Sequence, residues 1–228
     1  AMRFRAALLA GEGKFRDAIA QVEELLKTSP ENPDAQLQLA LLFTANQMYD
    51  KAVKVYSELI KKDPGNWTAL RGRGDAFLSM GKHAEAIADY EKAYKIEPHD
   101  PGLLNNFAWV LCTSPVDKLR NGKRALEIAK EACRLTDYKQ AHILSTLGAA
   151  YAETGDLKSA MEWSKKAIAL GKEEQKADLT KELETYKAGK PIRELKSVEE
   201  AKPEADKPKK DSKKPADKPK REEKKPAD

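Results

Sequence analysis

The sequence predicts an all-α chain, an α-solenoid of about five stacked helix hairpins with one more helix closing the array and a disordered tail beyond it. Three observations carry that expectation. Pro30, Pro64 and Pro98 stand 34 residues apart, and apolar residues repeat in register before them. Ala18, Ala52 and Ala86 precede the prolines by twelve residues, Val22, Tyr56 and Tyr90 by eight, and Leu25, Leu59 and Ala93 by five. A fixed period of this length, with small and large apolar positions inside it, marks hairpins that bury one another by stacking. The second observation is composition. Alanine, leucine, lysine and glutamate dominate, and β-branched runs are short and never alternate, so helix is favoured over strand. The third is an abrupt change at Lys196. Residues 196–228 hold twelve Lys or Arg, nine Asp or Glu and five Pro, with almost no large apolar side chain. Such a segment cannot bury enough surface to offset chain ordering at roughly 1–2 kcal/mol per residue.

The elements follow in order. The first unit, about 1–32, carries Ala6, Leu9, Gly13, Ala18, Val22, Leu25 and Pro30. The second, 33–66, repeats the set as Leu39, Ala40, Phe43, Ala52, Tyr56, Leu59 and Pro64. The third, 67–100, is the clearest. A helix over Trp67–Met80 presents Leu70, Gly74 and Phe77, and Gly81 ends it, since glycine accepts the left-handed conformation found past helix C-termini. A second helix over His83–Glu97 presents Ala86, Tyr90 and Ala93 before Pro98 stops it. Gly74 and Ala86 are small where the helices would cross closely, and Phe77 and Tyr90 would fill the space beside them. The fourth unit, 101–140, opens with Leu104, Phe107, Ala108 and Leu111, but its second helix, with Ala125, Ala129 and Ala132, arrives five residues late. The insertion lies in Thr113–Lys123, which holds the turn signals Ser114-Pro115 and Asn121-Gly122. The fifth, 141–174, returns to standard length with Leu144, Leu147, Gly148, Tyr151, Gly155, Ala160, Ser164 and Ala167, the serine standing where an aromatic is usual. A charged helix over Glu173–Ala188 has one thin apolar stripe of Leu179, Leu183 and Tyr186, as a capping helix would; with its end it accounts for 175–195.

Trp67, Leu70, Gly74, Phe77, Ala86, Tyr90, Ala93 and Pro98, in that order and spacing, resemble the tetratricopeptide repeat. That resemblance covers 1–174 and implies a right-handed solenoid that presents surfaces rather than performs chemistry. Thr113-Ser-Pro115, Gly122-Lys-Arg-Ala125 and Tyr186-Lys-Ala-Gly-Lys-Pro191 further resemble bacterial tetratricopeptide proteins with a lengthened fourth-repeat loop. In this family the first helices line a concave groove that takes a peptide or partner protein. Carried onto this chain, the groove positions are Gln38, Leu41, Thr44, Arg71, Asp75, Leu78, Asn105, Asn106, Trp109, His142, Ser145 and Thr146. Amides and a guanidinium suit an extended peptide backbone, and an aromatic grips an apolar anchor. Some family members clamp a C-terminal carboxylate. At the corresponding places only Arg71 and Asn106 are chemically suitable, and Asp75 would repel the ligand.

Several of these residues also have a purely structural reading. Trp109 could pack under the inserted loop, Asn105 and Asn106 could bridge units, and Arg71 could pair with Asp75 one helical turn on. Cys112 and Cys133 fit as buried small apolar residues. His83, His99 and His142 show no metal spacing, and no nucleophile–base pair is suggested, so neither enzymatic activity nor a cofactor or metal is expected. Arg73-Gly74-Asp75 falls inside a helix, and Gly72-Arg-Gly74 lacks the third glycine of a phosphate loop.

Net charge is +5, but 42 bases face 37 acids, so specific nucleic-acid binding is not expected. The tail doublets Lys209-Lys210 and Lys213-Lys214 could touch anionic partners. No apolar stretch approaches a membrane span. The start, Ala-Met-Arg-Phe-Arg, does not read as a secretory signal, which leaves the cytoplasm as the default expectation, and the opening Ala1 suggests either a cloning scar or a piece of a longer chain. The leading functional expectation is a non-catalytic scaffold for protein partners. The alternative is a regulatory or localising module of a larger enzyme or membrane-associated protein.

Overall fold

Asn32, Asn66 and Asp100 start their units in the same way: each side-chain oxygen accepts the backbone N–H three residues on, at 3.0, 2.9 and 2.7 Å. Each cap satisfies one of the orphan donors at a helix N-terminus. Pro33 and Pro101 take the first helical position, where the missing N–H is not needed. The computed structural model describes residues 2–194, as α1 (Met2–Gly11), α2 (Phe15–Thr28), α3 (Pro33–Ala45), α4 (Tyr49–Lys62), α5 (Trp67–Ser79), α6 (His83–Ile96), α7 (Pro101–Thr113), α8 (Gly122–Leu135), α9 (Ala141–Glu153), α10 (Leu157–Leu170) and α11 (Glu173–Lys187). The described residues contain no strand. The helices expected to end at Met80, Glu97 and Ala188 each stop one residue earlier, because those residues act as the half-helical C-caps. The expectation for 196–228 lies outside the described residues.

Turns within four of the hairpins use a residue at positive φ: Gly13 at 75°, Gln47 at 58°, Gly81 at 72° and Gly155 at 89°. The fourth unit has Pro115 at the matching place, 34 residues after Gly81. Proline holds φ near about −65°, so this turn is closed to it. The chain instead detours through 114–121, with a short 3-10 turn at Asp117–Leu119, before α8 begins. Arg120 pins the detour, donating to Glu153 at 2.8 Å, to the Ser114 carbonyl at 2.8 Å and to Asp117 at 2.7 Å.

Ala18, Ala52, Ala86, Ala125 and Ala160 are all fully buried where paired helices cross. Tyr56 and Tyr90 are equally buried, and their rings press on Gly72 and Gly74. A Cβ on those glycines would lie 2.4 and 2.7 Å from the rings. Phe77, expected beside Tyr90 in the core, is only partly buried and carries Arg73 and Lys82 at 5.8 Å from its ring centre. Arg73 itself makes a bidentate pair with buried Asp89 at 2.6 and 2.8 Å, so the Arg-Gly-Asp tripeptide is used up inside the fold.

Each helix packs on the next, and the first helices also touch one another: α1 on α3, α3 on α5, α5 on α7 and α7 on α9. These first helices therefore form one continuous wall. α11 packs on α10 and buries Leu179, Leu183 and Tyr186. Tyr186 clusters with Ala152 and Ala160, next to the unit in which Ser164 replaces an aromatic. Its apolar stripe thus covers the last hairpin, as a cap must.

Candidate functional site

The wall of first helices carries polar side chains that hydrogen-bond across units. Asp75 on α5 accepts the Tyr90 hydroxyl at 2.7 Å and the Asn106 amide at 2.8 Å. Asn105 donates to Asn106 at 3.0 Å, and the Thr146 hydroxyl on α9 donates to Asn105 at 2.8 Å. This ladder runs from the third hairpin through the fourth to the fifth. Burial pushes the Asp75 carboxyl above its usual range, against the downward pull of the Tyr90 and Asn106 hydrogen bonds.

Arg71 does not stand free beside it. Its guanidinium donates to Asp100, the cap of α7, at 2.8 Å and lies 3.9 Å from Asp75. Arg71 and Asn106, the two residues suited to a carboxylate clamp, are therefore both engaged by aspartates.

Past the ladder, α7, α9 and α11 enclose a cleft of about 380 Å³. One side presents Asn105, Asn106, Trp109, His142, Ser145 and Thr146; the other presents Glu174, Gln175, Asp178, Leu179 and Glu182. All six first-wall residues were expected from the sequence. The α11 side was not, because that helix reads only as a charged cap. Its signal was the run of acids at 174, 178 and 182, one turn apart on a single face. Glu182 accepts the Ser145 hydroxyl at 2.6 Å, and burial raises its carboxyl above the usual range. His142, at the rim, is held below the usual imidazole range by desolvation. Trp109 is partly buried, and its indole N–H donates to Glu194, in the segment after α11, rather than to the inserted loop.

The remaining expected residues lie elsewhere on the wall. Gln38 and Leu41 line a shallow recess with Arg3, Phe4 and Asp34, where Gln38 donates to the Arg3 carbonyl at 3.0 Å. Thr44 turns back to the Ala40 carbonyl at 3.0 Å, and Leu78 packs on the core. Cys112 and Cys133 are buried free thiols, both pushed up by desolvation. Among the described residues no group of His, Cys, Asp and Glu is placed to hold a metal ion, and no helix is long and apolar enough to cross a membrane.

Comparison with known proteins gives a consistent set of relatives. Family models described as tetratricopeptide repeat match residues 5–66, 40–101 and 140–174. Among curated proteins, DnaJ homolog subfamily C member 3 of Gallus gallus is 31% identical over 93 residues, which is 39% of this chain and 18% of that protein. The probable UDP-N-acetylglucosamine--peptide N-acetylglucosaminyltransferase SPINDLY of Solanum lycopersicum is also 31% identical over 93 residues, or 41% of this chain and 10% of that protein. The chain thus spans under a fifth of the length of each of these two relatives. Among solved structures, TTC0263, a thermophilic TPR protein of Thermus thermophilus, superposes with a TM-score of 0.62 at 19% identity, covering 82% of this chain and 96% of that one. MamA from Desulfovibrio magneticus RS-1 gives 0.61 at 19% identity, covering 74% and 92%.

Proposed function

Because the chain belongs to the tetratricopeptide repeat family, we propose that it is a non-catalytic scaffold whose concave wall holds an extended segment of a partner protein, with units bounded as the sequence reading sets them. The observation that carries this reading is the convergence of Asn105, Asn106, Trp109, His142 and Ser145 on one cleft. Trp109 is the apolar anchor. His142 at the rim meets the partner's backbone, and Asn105 and Asn106 shape the wall behind it through the ladder. Arg71 and Asp75 act by holding the wall in shape through Asp100, Tyr90 and Asn106. Gln38 and Leu41 extend the contact toward the N-terminal hairpins. Because the wall is held by its own hydrogen bonds, most of the ordering cost on binding falls on the partner segment.

A second reading is favoured by the size of the relatives. The matched region is a small part of DnaJ homolog subfamily C member 3 and of SPINDLY, so this array could equally serve as the partner-binding module of a larger protein. Under either reading the groove does the binding.

Peptides selected from a random library against the full chain test the proposal. Amide and indole resonances should shift along α7, α9 and α11. His142→Ala with Trp109→Phe should weaken binding at least tenfold, because aromatic anchors dominate such interfaces. Selected peptides that shift only second-helix resonances, or bind the double variant unchanged, would remove the groove from consideration.

A further inference from the structure

The path of the chain after α11 leads back to the cleft. Gly189, at φ 76°, turns the chain out of the helix. Ile192 then packs on the cluster around Tyr186. Arg193 pairs with Glu153 at the end of α9 at 2.7 Å. The Glu194 N–H donates to the Thr113 carbonyl at the end of α7 at 2.8 Å, while its carboxylate receives the Trp109 indole. Residues 189–194 thus form a strap across the ends of α9 and α7. It delivers the chain to the lip of the cleft, on a residue that lines it.

Opposite Trp109 stand Glu174, Asp178 and Glu182, and among the described residues no Lys or Arg lines the cleft. Asp178 also meets Lys181 at 2.8 Å, but both side chains are nearly four-fifths exposed and such a pair exchanges readily. Beyond Glu194 lie 34 residues rich in lysine, among them Lys196, Lys209-Lys210 and Lys213-Lys214.

We infer that this chain's own lysine-rich segment after Glu194 occupies the cleft, its ammonium groups set against Glu174, Asp178 and Glu182, and so competes with a partner for the same place. The inference rests on the groove reading above. Three acids one helical turn apart span about 12 Å, which about four residues of extended chain cover. The doublets 209–210 and 213–214 have that separation. A segment tethered this closely has an effective concentration on the order of millimolar, so even a millimolar contact fills the cleft about half the time. The interspersed acids keep the contact weak and therefore displaceable.

The test uses the full chain with Ser212→Cys carrying a nitroxide label; Cys112 and Cys133 are buried, so labelling is selective. Amides of Ser145, Thr146, Leu179 and Glu182 should broaden, and the effect should fade at about 0.5 M salt, where screening lengths fall to a few ångström. It should also fade in the full chain carrying Glu174→Gln with Asp178→Asn. Replacing Lys209, Lys210, Lys213 and Lys214 by Ala should raise affinity for a selected groove peptide about twofold, as expected when a competitor occupying half the sites is removed. Broadening absent from the cleft, or indifferent to both salt and charge removal, overturns the inference. Broadening seen only between labelled and unlabelled chains assigns the contact to a second copy and overturns it too. If no broadening appears at the cleft at low salt while groove peptides still bind through Trp109 and His142, this inference alone fails; if the broadening appears but the chain carrying His142→Ala with Trp109→Phe binds peptide normally, the groove reading fails and the competition with it.

Discussion

Tyr90→Phe tests the ladder that shapes the groove wall. The substitution keeps the buried ring against Gly74 and removes only the hydroxyl, which donates to Asp75 at 2.7 Å. Asp75 would retain the Asn106 amide at 2.8 Å and the more distant Arg71 at 3.9 Å. A hydrogen bond to an ionised group is worth about 1.5–3 kcal/mol. The Asp75 side chain keeps 27% of its surface exposed, so water partly replaces the lost donor. The expected cost near neutral pH is therefore at the low end, about 1.5 kcal/mol. The pH dependence gives the test its edge. Tyr90 lowers the Asp75 pKa against the upward push of burial, so removing the hydroxyl raises it further. Once Asp75 is protonated in both variants, the lost bond is a neutral one and the cost falls to about 1 kcal/mol or less. Denaturant melts at neutral and acid pH measure both values. Hydrogen exchange in α5 and α6 localises the loss, which matters because long repeat arrays can unfold in parts. A cost below about 0.5 kcal/mol at neutral pH, or one that grows on acidification, would refute the charge-assisted ladder.

Other perturbations follow from the same geometry. Asp75→Asn keeps an acceptor oxygen for Tyr90 and Asn106 while removing a carboxylate that burial destabilises. With its folded pKa raised, Asp75 contributes most below its unfolded pKa, and that contribution is lost as pH rises through the folded value; the variant should flatten this part of the pH–stability curve, as melts across the acid range will show. Gly72→Ala puts a methyl 2.4 Å from the Tyr56 ring and should cost about 1–3 kcal/mol in a denaturant melt. Gln47→Gly relieves a side chain held at φ 58° in a place where three other hairpins use glycine, and should gain about 1 kcal/mol, read as a raised Tm.

What the sequence disclosed depended on whether a contact repeats. The helices were readable because the same crossing recurs, with Ala18, Ala52 and Ala86 buried for the same reason each time. The capping residues Asn32, Asn66 and Asp100 carry the same 34-residue period and could have been found by it. The late fourth hairpin was readable as an insertion, but its cause is conformational: Pro115 stands where the other hairpins need positive φ. Half of the cleft, on α7 and α9, could be mapped from one repeat to the next. The other half could not, because α11 belongs to no repeat and its position depends on how Leu179, Leu183 and Tyr186 seat on the last hairpin. The strap was invisible for a related reason, since Trp109 and Glu194 are 85 residues apart and nothing in either local sequence names the other.

The wall's polar residues divide accordingly. Position within a repeat says that Arg71, Asp75 and Asn106 face the concave side, and they do lie on the first helices that form it. Facing a groove is not the same as being available to a ligand. Arg71 satisfies the part-buried Asp100 cap, and Asp75 joins buried Tyr90 to Asn106, so each would leave a partner short of a hydrogen bond if it turned outward. Under the proposed groove reading, specificity would rest on side chains at the rim whose release costs little: His142, the Trp109 face, and the exposed acids Glu174 and Asp178. A wall whose hydrogen bonds are spent inward presents shape and the acids of α11 outward, and under the proposed groove reading that combination is expected to favour a basic segment over a carboxylate terminus.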